Sequence, residues 1–280
     1  MPRRSWKTRI GSEEGYLQHA FRSFDRIGDI VVTKVPPELE EKKEQIGRLL
    51  LDAVYGARLV LRVSGQTETY TRTRPMEIIA GEGPTLTRHR ENGAVYVVDV
   101  AKVFFSPRLA HERWRVAQQV CEGERILNAF AGAGCFSIQI ARRKAAEVYS
   151  LDINPWAIEC MKRGVAENKM RGEVHPILAD ARRPPLIDGS IDRAILPLPS
   201  LADQALPVAV KALGESGYVH HYREIRGRRT QVCQVSEAQL ESLVRRTMPD
   251  VSVEVLSSRI VRSVGRMRWH VVHDLLCTRK

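Results

Sequence analysis

The most chemically informative run of the chain begins at Arg125-Ile126-Leu127-Asn128, four residues of strand character. They run into a loop of small residues, Ala129-Phe130-Ala131-Gly132-Ala133-Gly134, and then into the apolar segment Cys135-Phe136-Ser137-Ile138-Gln139-Ile140. Strand, glycine loop and helix in that order have the layout of a nucleotide-binding turn, though the glycines alone equally suit tight strand-to-helix packing. Gly132 and Gly134 can take positive φ and lack a Cβ, so an adenosine-like ligand can approach the main chain while the helix start offers backbone N–H donors. Roughly 20 residues later Glu147-Val148-Tyr149-Ser150-Leu151-Asp152 reads as a second strand ending in an acid. A doubly wound sheet places a ribose-binding carboxylate there. Val174 to Asp180 repeats the pattern, which puts Asp180 where it could accept from an adenine amino group. Taken singly, Asp152 is equally a helix cap and Asp180 a loop acid; on three successive βα units they favour a cofactor site. The loop lacks the third glycine of a dinucleotide fingerprint, which points to S-adenosylmethionine instead.

Elements that would position these groups follow from the apolar pattern. Residues 1–22 are a polar, basic lead-in. A turn and strand cover Phe24 to Val35, closed by Pro36-Pro37; Ile46, Leu49, Leu50 and Val54 predict one amphipathic helix over Glu38 to Val54. Leu59–Val63, Met76–Gly81 and Ala94–Val100 read as strands, with a turn at Glu91-Asn92-Gly93. Residues 23–115 thus form a small α/β domain. In the remaining 116–280, a Rossmann-like domain, strands are expected at Ile191–Leu196 and Tyr218–Tyr222. Helices are expected at Ser200–Leu213 and, with Ser236 as N-cap, at Ser236–Thr247. Val251–Ile260 and Trp269–Leu276 read as an antiparallel pair. The fold class is therefore α/β, a Rossmann-like sheet preceded by a smaller α/β domain.

Composition narrows the partners. The 280 residues carry a formal net charge of +11 and 43% hydrophobic residues, enough for two cores. The basic residues recur in clusters: Arg72-Thr73-Arg74, Arg88-His89-Arg90, Arg142-Arg143-Lys144, Arg226-Gly227-Arg228-Arg229, and Arg262 to Arg268. That pattern selects a polyanion, and nucleic acid first. No apolar run reaches the roughly 18–20 residues of a membrane span, and no signal region follows the basic start. The five cysteines never form a C-x-x-C pair, so reduced thiols are expected and neither a disulfide frame nor a metal site is.

These motifs together carry a resemblance. Phe24-Asp25-Arg26-Ile27-Gly28-Asp29-Ile30, Arg72-Thr73-Arg74, Glu77 to Glu82, Glu91-Asn92-Gly93, Asp99 to Leu109, Phe130 to Gly134 and Asp152-Ile153-Asn154-Pro155 resemble the archaeal and eukaryotic class I methyltransferases that modify N1 of the guanosine following the tRNA anticodon. This family shares its fold with the wybutosine-pathway aminocarboxypropyl transferases. Ser106-Pro107-Arg108-Leu109 before His111-Glu112-Arg113, and Asp rather than Glu at 152, are similar to the methyltransferase branch.

The resemblance implies roles. N1 of guanine carries a proton, so methylating it needs a base and a cation for charge developing on O6. Glu112 matches the base and Arg72 the O6 partner. Arg113, Phe130, Ala131, Gly132, Gly134, Asp152, Ile153, Asp180, Ala181 and Pro197 match cofactor positions; Arg74, Arg108 and Pro199 match RNA or base contacts, with Arg108 either on the tRNA backbone or orienting Glu112. The implied partner is tRNA, with no membrane and no metal, and the protein is expected to be a cytoplasmic monomer without the extra N-terminal domain of many relatives. Three positions depart from the family pattern: Pro197 stands where the Asn-Leu-Pro loop has Asn, Asn128 where Asp is usual, and Val264-Gly265-Arg266 where Tyr-Ala-Pro is usual. Proline has no side-chain donor or acceptor, so one expected bond to base or cofactor is missing. Aminocarboxypropyl transfer and a catalytically silent tRNA-binding relative are the competing readings.

Overall fold

A computed structural model describes residues 24–65, 73–185 and 187–280. Its chain contacts divide into two units, Met1–Arg108 and Leu109–Lys280. The boundary drawn from the sequence lay seven residues later, inside a helix that belongs to the second unit.

In the first unit, strands β1 (Phe24–Ile27), β2 (Ile30–Thr33), β3 (Leu59–Val63) and β4 (Met76–Gly81) form a sheet in the order β1-β2-β3-β4, with only β2 and β3 parallel. The tight turn between β1 and β2 explains Gly28: its φ is 59°, and a Cβ there would lie 2.2 Å from Thr87 Oγ1. Asp29 in the same turn accepts from Thr87 Oγ1 at 2.6 Å. Thr87 belongs to a hairpin, β5 (Leu86–Glu91) with β6 (Ala94–Asp99). Strand β5 was not expected, because its Arg88-His89-Arg90 core reads as a charged cluster until β6 is there to pair with it. The expected helix over Glu38–Val54 opens instead as a 3₁₀ segment, Pro37–Lys42, and becomes α-helical as α1 over Lys43–Ala53. Its Ile46 and Leu50 pack with Val31, Val60 and Ile79 as the core of this unit.

The second unit starts with α2 (Ala110–Gln119). It then alternates β7 (Arg125–Ala129), α3 (Cys135–Ala141), β8 (Glu147–Asp152), α4 (Pro155–Ala166), β9 (Glu173–Leu178), β10 (Ile191–Leu196), α5 (Ala202–Ala212), β11 (Leu213–Arg226) and α6 (Val232–Thr247), and closes with β12 (Val251–Gly265) and β13 (Arg268–Arg279). The seven strands lie in the order β12-β13-β11-β10-β7-β8-β9, parallel except for β13, which runs against both β11 and β12. Alternation sends Leu127 and Leu196 to one face with Leu206, Leu240 and Leu275. Ile126 and Ile195 go to the other with Val116, Val120, Phe136 and Tyr222. One helix signal was misread. Ser236 is not an N-cap: α6 starts four residues earlier, and the buried Ser236 hydroxyl bonds His273 Nε2 at 2.6 Å.

Candidate active site

At the carboxyl edge of the large sheet, β7 ends in three left-handed residues: Phe130 (φ 61°), Gly132 (φ 57°) and Gly134 (φ 74°), the last capping α3. A left-handed phenylalanine costs conformational energy that the surrounding bonds must offset. Ala131 N donates to Leu151 O at 2.8 Å, Gly132 N to Asp152 Oδ2 at 2.7 Å and Gly134 N to Ala131 O at 3.0 Å. The loop amides expected to face a ligand are thus bonded within the protein. A Cβ on Gly134 would meet Met161 Cγ at 2.4 Å, so helix α4 presses directly on the loop.

Asp152 closes β8. The rest of its motif is structural: Asn154 caps α4 by accepting from Trp156 N at 3.0 Å, and Pro155 takes the first turn, where no N–H is needed. Asp152 Oδ1 accepts from Asn154 N at 2.9 Å. Each oxygen keeps a lone pair, so the carboxylate can still accept two vicinal hydroxyls. Burial raises its pKa from the ordinary aspartate value, against the pull of the bonds from Asn154 and Gly132. Ile153 beside it is 47% exposed, an apolar surface suited to an aromatic base. Asp180 follows β9 and is tied up with Arg182, whose Nε lies 3.0 Å from both carboxylate oxygens and whose Nη2 lies 2.6 Å from one. Those bonds lower its pKa, and an adenine amino group would share the carboxylate with Arg182. Ala181 is buried in the core, and Pro197 and Pro199, half-buried, follow β10 at the same edge.

Glu112 lies in the first turn of α2 and is only 2% exposed. Its Oε1 accepts from Arg115 Nη2 and from Tyr222 Oη, both at 2.7 Å, and Oε2 pairs with Arg259. Arg115 also bridges to Asp274, which bonds His220 Nδ1 at 2.7 Å. Burial pushes the Tyr222 phenol well up, so it stays a donor. The Tyr222 ring packs edge-on against Phe136, centroids 6.1 Å apart, in the first turn of α3 just beyond the glycine loop. Glu112 and the loop therefore meet on one tyrosine.

Arg113 is also buried. Arg108 and Arg74 lie in the first unit, where Arg108 Nε donates to Asp25 at 2.8 Å. Arg72 falls outside the described residues. The same unit has a cleft of about 770 Å³ whose lining includes Arg26, Arg58, Arg88 and Arg90. Nothing in the local sequence around Glu112 marks Tyr222, Arg259 or Asp274 as its neighbours. Arg115, three residues after Glu112 on a helix, was the one partner with a local signal. No group of metal-ligating side chains occurs among the described residues, and no described helix is long and apolar enough to cross a membrane.

Comparison with known proteins adds the lineage. Residues 87–253 match the TRM5/TYW2 methyltransferase domain and residues 9–85 the TYW2 N-terminal domain. The chain is 37% identical over 252 residues to the tRNA (guanine(37)-N(1))-methyltransferase Trm5b of Pyrococcus abyssi, covering 90% of this chain and 74% of that one. It is 34% identical over 262 residues to the tRNA 4-demethylwyosine(37)-methyltransferase Taw21 of Saccharolobus solfataricus, covering 92% and 95%. Methanocaldococcus jannaschii Trm5 in complex with adenosine superposes with a TM-score of 0.75 at 32% identity, over 90% of this chain and 71% of that one. With the glycine loop, the acid-ended strands and this strand order in place, the chain belongs to the TRM5/TYW2 methyltransferase family.

Proposed function

We infer that this protein transfers a methyl group from S-adenosylmethionine to N1 of the guanosine at position 37 of tRNA. The observation that carries the reading is Tyr222. It donates to Glu112 at 2.7 Å while packing on the helix that follows the glycine loop, so the candidate base is tied to the wall of the candidate cofactor site.

S-adenosylmethionine, when bound, supplies a methyl group on a sulfonium sulfur and leaves as S-adenosylhomocysteine. Asp152 would hold the ribose hydroxyls, Ile153 would offer its apolar surface to the adenine and Asp180 would accept from the adenine amino group. The guanosine must leave its stack to reach this edge. Glu112 takes the N1 proton as the N–C bond forms; the charge that builds on O6 needs a cation, the role the resemblance gives to Arg72. For Glu112 to accept that proton, its contact with Arg259 must be exchanged for the base, while Arg115 and Tyr222 hold the other oxygen in place. Arg108, Arg74 and the arginine-lined cleft of the first unit supply phosphate contacts. We read the enzyme as a cytoplasmic monomer, which light scattering tests.

A second reading is methylation of 4-demethylwyosine at the same tRNA position. Pro197 favours it, because no amide is available there to read guanine, and the Taw21 relative is nearly as similar as Trm5b. Incubation with labelled cofactor and either unmodified tRNA or tRNA carrying 4-demethylwyosine, followed by mass mapping of position 37, separates the two. N1-methylguanosine from unmodified tRNA supports the first; label on the second substrate alone overturns it. Methylthioadenosine as product in place of S-adenosylhomocysteine would mean aminocarboxypropyl transfer.

A further inference from the structure

Strand β10 ends at Leu196, opposite His221 of β11, but β11 continues to Arg226. Five extra residues extend it roughly 16 Å past the edge where the cofactor loop lies. It does not project alone. Strands β13 and β12 run with it, paired from Tyr222↔Val272 and Arg259↔Val272 outward to Arg226↔Arg268 and Gly265↔Arg268. The tip is stapled: Gly227 N donates to Met267 O at 2.9 Å and Trp269 Nε1 to Gly227 O at 3.0 Å. This is an ordered ribbon.

Residues directly opposite each other in antiparallel strands share a face. Tyr222, Val272 and Arg259 share the face that receives Glu112. One step outward the row is Glu224, His270 and Arg262, kept in phase by a bulge between Ile260 and Arg262; the next row is Arg226, Arg268 and Gly265. Helix α6 covers the other face, where Val232 packs on Ile225 and Val271. The Glu112 face leads outward into solvent, with Glu224, Arg226 and Arg268 exposed.

Its charge is one-sided. Glu224, the lone acid of these two rows, is taken by Arg268 at 2.8 Å. Arg226 stands directly opposite Arg268, so two guanidiniums meet where the one carboxylate of these rows is already bonded to Arg268. Arg226, Arg266 at the tip and Arg228 in the next turn are exposed and make no ion pair with any described residue.

We propose that this face of the β11-β13-β12 ribbon is a docking strip for the ribose-phosphate backbone flanking the target nucleotide, leading it along one sheet face to Glu112. The strip rests on the reading of the protein as a tRNA-modifying enzyme and specifies where the RNA lies on the second unit. Arginines on neighbouring strands, about 5 Å apart, can share successive phosphates, and the bonds are charge-assisted.

The test is the affinity of the full chain for a tRNA transcript across a salt series. The Arg226→Ala/Arg266→Ala double variant is compared with Arg246→Ala, an exposed arginine of α6 that has no ion pair among described residues. The double variant should bind the transcript about tenfold more weakly at 100 mM salt. Its slope of log affinity against log salt should be shallower by about 1.5, since each phosphate contact contributes about 0.7–0.9. S-adenosylmethionine affinity should match the parent, which shows the fold is intact. Affinity and slope equal to those of Arg246→Ala would overturn the strip. So would a loss of turnover with RNA binding intact, because these arginines would then act through the Glu112 network. RNA capture is read without turnover, so a wrong assignment of the methylated atom leaves this test standing.

Discussion

Glu112→Gln separates the candidate base from the scaffold that holds it. Glutamine keeps the volume and a carbonyl oxygen for Tyr222 Oη, but removes the charge that Arg115 and Arg259 share. Arg115 keeps Asp274 as a partner. Arg259 loses its acid, and it is burial that already depresses this guanidinium. Removing one partner of a buried pair costs about 3–5 kcal/mol. Because Arg115 stays compensated and the Arg259 side chain is 31% exposed, the loss falls below that range, to about 2 kcal/mol, which for a unit of this size lowers Tm by about 4–8 °C. The loss of a positioned base should cut turnover by about 10²-fold or more at a temperature where the variant is folded. S-adenosylmethionine affinity, measured by calorimetry, should stay within about threefold, since Asp152 and the glycine loop are untouched. Arg259→Gln is the necessary companion: it disturbs the same ion pair but leaves the carboxylate, so it should lose stability without a comparable loss of turnover. A Glu112→Gln variant that keeps more than a tenth of the parent rate would refute Glu112 as the base, whatever its Tm.

Three further outcomes follow from the geometry. Gly134→Ala combines a left-handed alanine, about 1–2 kcal/mol, with a 2.4 Å approach to buried Met161, so it should weaken cofactor binding by about tenfold or more; an unchanged dissociation constant would mean the loop does not shape that site. Asp152 must be ionised to accept ribose hydroxyls, and burial raises its pKa, so cofactor affinity should fall with decreasing pH at a higher pH than an ordinary aspartate would give; Asp152→Asn should bind weakly and without that dependence. His273 is fully buried, and burial lowers its pKa to about 4 from an ordinary 6.5. The unfolded chain therefore binds its proton first, and stability present above pH 6.5 is lost as pH falls toward 4, by up to about 3 kcal/mol. Denaturant midpoints at pH 7 and pH 4.5 check the sign, and His273→Gln should flatten the difference.

What could be read in the chain and what could not follows the range of each interaction. The glycine loop and the acid closing β8 are announced by residue type and spacing alone, whereas the helix cap that Asp152 could have been falls to Asn154. The β12–β13 pair was legible by type and spacing as well. Glu112 gave no sign of its surroundings, because Tyr222 is 110 residues away and Asp274 lies 159 residues from Arg115. Ser236 misled because a hydroxyl before an apolar run looks like a cap, while its partner His273 lies 37 residues on. The basic clusters were visible as charge, but their sharing of one face depends on strand register and on a bulge between Ile260 and Arg262, which a sequence does not display.

The loop also discriminates between cofactor classes by a bond the sequence could not reveal. A dinucleotide-binding turn directs its loop amides at a pyrophosphate. Here Gly132 N is given to Asp152 and Gly134 N to Ala131 O, so those donors are spent before any ligand arrives. The carboxylate that takes one of them adds negative charge where a pyrophosphate would have to sit, and two anions in a half-buried site repel strongly. A nucleoside with hydroxyls for Asp152 and a positive charge farther along avoids both penalties. The same bond ties the loop to β8, so a ligand that grips Asp152 also fixes Gly132, and through Gly134 and Phe136 it bears on Tyr222. On the proposed assignment, cofactor binding and the placement of Glu112 are linked through these contacts, and Tyr222→Phe, which keeps the ring but cuts the bond, should uncouple them: cofactor affinity is retained while turnover falls.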